Sequence, residues 1–393
     1  MNIPDGHGDE SGRFYNRAFQ AKCALQTDSR QGTLPRSAFI YITLAHRPQQ
    51  YRSLPALRPP SRKAFVPTTL ITQALCPLTT HLPAPDFVRH ADAGVEWPTW
   101  LLCLAIYGGW LGALYWYGQD ASAGALVLIV VMGAWYMSLQ HELVHGHPTR
   151  HAWLNRALGL LPIAVWYPFD IYRSSHLAHH RDEVLTYPGQ DPESNYLEPQ
   201  DFASRSAAMR FVLQAQRTAV GRFAITPAFA VFHLLRPLLS AAYWHSARVR
   251  WTWLQHATLL GLMLWAIQRY AGISPWLYLS LSYACLGLAF MRSFYEHRPA
   301  AEPQHRIVIN EAGWLWRLLF LNNNYHAVHH AQPKLAWYRI PALYQAHRDY
   351  FLERNGGYLL RGYVRFFTRY AMRPLDTPGQ QTRDLDADYR HLA

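Results

Sequence analysis

Charge is scarce in this 393-residue sequence: Asp, Glu, Lys and Arg make up 16% of it, where a soluble globular chain carries about 25%. Lysine is nearly missing, with only Lys22, Lys63 and Lys334, so the formal net charge of +12 rests on arginine. That shortage argues against an ordinary soluble domain. No RNA- or DNA-binding motif accompanies the positive balance, so nucleic acid is not an expected partner. The cysteines (Cys23, Cys76, Cys103, Cys285) are scattered and form no Cys-x-x-Cys pair, which argues against a disulfide framework or a zinc ribbon. No apolar run follows the first residues, so a signal peptide is not expected. Residues 1–90 lack hydrophobic periodicity and are rich in Pro, Ser and Arg. Such a composition cannot bury a core, and the segment is expected to be disordered.

Apolar surface is plentiful. Half of the sequence is hydrophobic, with 15 Trp and 24 Tyr. Trp97–Tyr117 is a run of 21 residues without a charge, and Ala121–Gln140 is another of 20. At about 1.5 Å per residue each spans about 30 Å, the thickness of a bilayer core. Gly118, Gln119 and Asp120 separate the two, which predicts a helical hairpin in the membrane. A second pair follows in Trp251–Gln268 and Ile273–Met291. Between the pairs, Ala157–Phe169 and Phe223–Leu235 are apolar but short, about 13 residues each, and suit interfacial or re-entrant helices. The expected architecture is an all-α integral membrane protein: four transmembrane helices in two hairpins, interfacial helices, and a cytoplasmic helical cap. The core domain is expected over residues 91–350, with 351–393 forming a surface segment and tail.

Eleven arginines lie between residues 141 and 250, whereas the turns on the opposite side hold only Asp120 and Arg269. The positive-inside rule therefore puts the 141–250 segment, both termini and the region after Arg292 in the cytoplasm.

Histidine is concentrated in three places: His141-Glu142-Leu-Val-His145-Gly146-His147, His176-Leu-Ala-His179-His180 and His326-Ala-Val-His329-His330, which hold nine of the 21 histidines. Residues three and four apart share a helix face, so each box can aim its imidazoles together. Imidazole suits divalent iron, zinc and copper. Eight or nine convergent histidines are too many for one ion, which points to two metals. The four-span topology puts all three boxes on one side of the membrane.

The ordered triple of boxes between paired spans resembles the membrane fatty acid desaturase superfamily, which includes alkane hydroxylases and carotenoid ketolases. The resemblance covers roughly residues 95–350. It implies two iron ions held by His141, His145, His176, His179, His180, His326, His329 and His330, with O2 as co-substrate and electrons from a separate donor. Family members use a further histidine near the end of the last span, and His297 in Arg292-Ser-Phe-Tyr-Glu296-His297 takes that place. The run Asn322-Asn323-Asn324-Tyr325 and the later Trp337-Tyr338 resemble bacterial members. Asn322 or Asn324 is a candidate for holding a metal-linked water or orienting a ligand. His147 and Glu142 are further candidates, as ligands or as partners of ligands, although Pro148 argues against a helix continuing past them. The resemblance implies a desaturase acting on a fatty acyl chain in lipid metabolism, sited in a bacterial inner membrane. A ferredoxin-like carrier and membrane lipid are its expected partners. The same chemistry serves a hydroxylase or ketolase of a lipid, alkane or carotenoid.

The first box also reads as His-Glu-x-x-His, the zinc metalloprotease motif, with Glu142 as general base. That reading leaves the other two boxes unexplained.

Overall fold

The computed structural model describes residues 94–379, so the expected disorder of residues 1–90, two of the cysteines (Cys23, Cys76) and the end of the tail lie outside the described residues. The first hairpin is α1 (Trp97–Asp120) and α2 (Ala123–His145), which pack along each other. Pro98 sits in the first turn of α1, where its missing N–H costs nothing. Ala121 turns left-handed to end α1, and the Ser122 hydroxyl accepts the Gly124 N–H to start α2. Gly146, at φ +102°, stops α2 directly after the second histidine of the first box.

Short helices follow: α3 (Ala152–Gly159), α4 (Phe169–His179), α5 (Pro199–Ala203), α6 (Ala207–Ala215), α7 (Ala219–Ala224) and α8 (Thr226–Leu235). Then come the long α9 (Ala247–Ala271) and α10 (Pro275–Arg292). The cap is completed by β1 (Ile309–Asn310), α11 (Trp314–Leu319), α12 (His326–Ala331), α13 (Ile340–Ala346), α14 (Arg348–Arg354), β2 (Leu359–Leu360) and α15 (Tyr363–Arg369). The two short strands pair in parallel, Ile309 beside Leu359.

Two expectations change. By length and composition α1 and α2 can each cross a membrane, but α9 and α10 qualify only as a pair, bent by 113° at the break between them. The second pair is therefore an open corner and not a close hairpin, because each arm packs on a different partner: α9 on α1, and α10 on α2. Gly133 allows the second contact, since a Cβ there would lie 2.4 Å from the Cys285 sulfur. The other change concerns Phe223–Leu235. It belongs to a longer helical run, Ala219–Leu239, which is itself long and apolar enough to cross.

Exposed aromatics mark two levels on the bundle. Trp97 and Trp251 lie at the starts of α1 and α9; Tyr115, Trp116, Tyr270 and Trp276 lie at the other end. A Cβ on Gly118 would be 3.4 Å from Ala271 Cα, so α1 and α9 finish side by side. Trp97 and Trp116 are separated along α1 by about 28 Å, close to the bilayer core thickness at whose edges aromatic side chains gather.

The apolar stretch after α3 runs into the bundle without forming a span. Its carbonyls are taken up by side chains from the long helices: Tyr136 donates to Gly159 and Leu161, Tyr278 to Ile163, Ser282 to Ala164, and His256 to Val165. Irregular backbone survives in an apolar slab only when protein satisfies it in this way. The aromatic residues of α1 and α2 thus do more than anchor: Tyr107 donates to Leu158 O, and Trp110 donates to Tyr278 Oη at 2.9 Å.

Residues 351–379 pack into the cap. Phe294, Tyr295, Phe320, Tyr358, Tyr363, Phe366 and Tyr370 form one apolar cluster. Asp376 meets the buried Arg217 at 2.5 Å, and Leu375 N–H donates to the Arg217 carbonyl.

Candidate metal centre

The end of α2 carries His141 and His145 one turn apart, and α4 carries His176 and His179, with His180 as its C-cap. His297 follows α10 in a short antiparallel bridge with Ile307, and α12 supplies His326, His329 and His330. These nine side chains sort into two groups. His141, His145, His176, His180 and His329 bring one nitrogen each within 4.8 Å of one another, and so do His179, His297, His326 and His330. Each HxxHH box is divided between the groups: its first and last histidines, four residues apart, share one side of the helix and one group, and its middle histidine joins the other group. The first box serves one group only.

The nitrogens that meet are mostly Nε2 atoms. In the five-histidine group His176 is 3.0 Å from His145 and 3.1 Å from His180, and His180 is 3.1 Å from His329. In the four-histidine group His297 is 3.0 Å from both His179 and His326. Metal–imidazole bonds of about 2.0–2.1 Å meeting at a right angle would set two nitrogens about 3 Å apart.

Proton accounting decides whether a cation fits. His179 Nδ1 lies 2.8 Å from Asp191 Oδ1, and His330 Nδ1 lies 2.9 Å from Asp182 Oδ1. A carboxylate accepts, so each Nδ1 donates, and in the neutral ring each Nε2 keeps its lone pair. Asn323 gives its NH2 to Glu296 at 3.2 Å, so its carbonyl oxygen, 3.1 Å from His326 Nδ1, accepts as well. The Nε2 atoms of His179 and His326 therefore both present lone pairs to His297 Nε2, which has at most one proton to share. His330 Nε2 is buried and has no hydrogen-bond partner. A bound cation satisfies all four at once. In the other group Glu193 Oε1, 3.2 Å from His176 Nδ1, fixes that ring in the same way, and His141 Nε2 is buried without a partner.

Burial pushes His326, His329 and His330 well below the usual imidazole range, and the neighbouring imidazoles add to it. His180 falls to about 3 for the same reasons. Neutral imidazole is the ligand form. At His179 burial also disfavours the charge, but Glu193 and Asp191 more than reverse it and raise the ring to about 9, so a cation binding there has to displace the proton from Nε2. Burial raises Asp182 to about 6. Glu193 reaches towards both groups, with its other oxygen 4.0 Å from His179 Nε2.

The remaining candidates fall elsewhere. Gly146 ends the helix before His147, and His147 Nδ1 turns to Glu96 at 2.8 Å, outside both groups. Glu142 accepts the Trp337 N–H at 3.1 Å and lies 3.4 Å from His141 Nδ1. The His-Glu-x-x-His motif thus does not stand as a separate zinc site: its two histidines sit among three others. Asn322 accepts from Arg317 and donates to the Trp337 carbonyl; Asn324 donates to the Asn310 carbonyl at 2.6 Å. The asparagine beside a metal-facing histidine is Asn323. Asp182, Asp191, Glu193 and Glu296 also escaped sequence reasoning. Two of them left a trace: Asp182 as an acid two residues after the second box, and Glu296 as the neighbour of His297.

Among curated proteins, comparison finds no match. Comparison with protein families matches residues 120–362 to the family described as Fatty acid desaturase, a stretch that holds all three boxes and His297. With more than half of its length so matched, the chain belongs to the fatty acid desaturase family.

Proposed function

We propose that this protein is a membrane-bound, O2-dependent di-iron desaturase that introduces a double bond into a fatty acyl chain. The observation that carries this reading is the sorting of nine buried or half-buried histidines into groups of five and four, with carboxylates behind rings of both groups. His141, His145, His176, His180 and His329 would hold one iron. His179, His297, His326 and His330 would hold the other. A bound iron pair would supply O2 activation and hydrogen removal from an unactivated methylene. The balance is a CH2–CH2 unit, O2, two electrons and two protons going to CH=CH and two waters. A separate donor, of ferredoxin type, supplies the electrons.

The chain's own residues position and shield. Asp182, Asp191, Glu193 and Asn323 fix the rings by accepting from their rear nitrogens. The ends of α2 and α10 carry His145 and His297 to the edge of the apolar helices, so that an acyl chain lying among those helices can reach a metal while its polar end stays outside. The excess of arginine between residues 141 and 250 supports a cytoplasmic centre with cytoplasmic termini, and an attraction for an acidic donor.

Purified protein loaded with iron should hold two irons per chain. Expression in a host with simple lipids should yield acyl products lighter by about two mass units, whereas hydroxylation would make them heavier by about sixteen. One zinc and no iron would overturn the reading.

A further inference from the structure

One acid stands in a different place from the others around the centre. Asp191 and Asp182 meet the Nδ1 atoms of His179 and His330 at 2.8 and 2.9 Å, Glu142 lies 3.4 Å from His141 Nδ1, and Glu296 lies 3.7 Å from His326 Nδ1. Each of these stands behind a ring, at the nitrogen that does not face the group. Glu193 reaches both kinds of nitrogen. Its Oε1 lies 3.2 Å from His176 Nδ1, behind a ring of the five-histidine group. Its Oε2 lies 4.0 Å from His179 Nε2, the nitrogen that faces into the four-histidine group.

The backbone holds Glu193 in this position. Asp191 Oδ1, which accepts from His179 Nδ1, also accepts the Glu193 N–H at 2.9 Å, and Asp191 Oδ2 accepts the Thr186 N–H at 2.9 Å. One buried carboxylate thus fixes the His179 ring and the base of the side chain that comes round to the ring's other nitrogen. Two ligands of one ion, each about 2.0–2.2 Å from it, stand about 3 Å apart as neighbours and about 4 Å apart on opposite sides. Glu193 Oε2 lies outside the group of four nitrogens, but its side chain is 32% exposed and is not locked by packing. A small turn of that side chain puts Oε2 on an ion held by His179.

The two groups also differ in what they lack. Four imidazoles leave an ion one more open position than five do. Neutral imidazole brings no charge, so the charge of two cations has to be met by the acids around them. Glu296 is already engaged with Arg292 at 3.1 Å. We propose that Glu193 is a tenth protein ligand: Oε2 binds the ion of the four-histidine group, while Oε1 holds the His176 ring of the five-histidine group. The proposal rests on the two-iron reading given above. One side chain then links the two ions, as ligand to one and as anchor of a ligand to the other.

The test uses the full chain in nanodiscs. His141→Ala, His145→Ala and His329→Ala together leave one iron, in the four-histidine group. Adding Glu193→Gln, whose amide oxygen still accepts from His176 Nδ1, should speed the loss of that iron to a chelator by roughly tenfold or more. An unchanged rate would overturn the proposal, because an acid that served only His176 has no hold on this ion. A second measurement leaves every histidine in place. With glutamate labelled by heavy carbon in its carboxylate, the infrared difference between iron-loaded and metal-free protein should contain one carboxylate whose two stretching bands move apart, as binding through one oxygen requires. That pair should vanish in Glu193→Gln and persist in Glu142→Gln. A difference spectrum that is the same with and without Glu193→Gln would overturn the proposal and leave the two-iron reading standing. Fewer than two irons in the unsubstituted chain would overturn both.

Discussion

The group built on the first box gathers five imidazoles and orients few of them, whereas the group that includes His297 gathers four and orients three. In the larger group only His176 has a carboxylate close behind it; His141 stands 3.4 Å from Glu142, and His180 Nδ1 is buried without a partner. In the smaller group Asp191, Asp182 and Asn323 stand behind His179, His330 and His326 at 2.8–3.1 Å. A spare ligand can replace orientation: with five donors a misplaced ring is tolerated, and with four each ring has to be held. The smaller group should therefore depend more on what stands behind its histidines.

The largest effect should come from removing a ligand. His326→Ala, which leaves three donors, should lose close to one iron per chain and all turnover. His329→Ala leaves four donors and should keep more of its iron; equal losses in metal analysis would break the contrast. Second in size, Asp191→Asn and Asp182→Asn should each weaken metal retention by roughly 10–100-fold in chelator competition. That loss should fall on one iron per chain. Asn323→Ala should follow at the low end of that range, as a neutral acceptor is lost from His326. Smallest, His147→Gln should leave two irons bound and cost about 1 kcal/mol of stability through the lost contact with Glu96, read as a modest drop in thermal unfolding temperature. Loss of iron in that variant would put His147 back among the ligands.

The boxes were legible because helical spacing alone brings residues three and four apart to one side, and because apolar runs placed the boxes at helix ends. The division of each HxxHH box between two groups was not legible, since helical spacing says which of its histidines share a side and not which remote histidines meet them. Nor was the choice of Asn323 over its neighbours. Leu321 and Asn322 are left-handed, at φ +48° and +57°, so the run is not helical and no simple period says which amide faces His326. The acids were hidden for a related reason: Asp182, Asp191 and Glu193 lie on a loop whose path is set by remote contacts. The open corner of α9 and α10 depended on packing between helices that the sequence does not announce. The same is true of the inward path of the chain between α3 and α4.

Arg306 shows what those remote contacts involve. It is 1% exposed. Its guanidinium donates to the carbonyls of Ala300, Ala301, Glu183 and Leu185 and to the Tyr187 hydroxyl, and it also lies over the Tyr187 ring. One side chain thus ties the start of the acid-bearing loop to the segment after His297. Only a planar fork can serve so many acceptors at once, so lysine would not replace it. The arrangement works as a cross-link with no sulfur in it. A disulfide in that place could be opened by a reductant, whereas this tie is indifferent to redox potential.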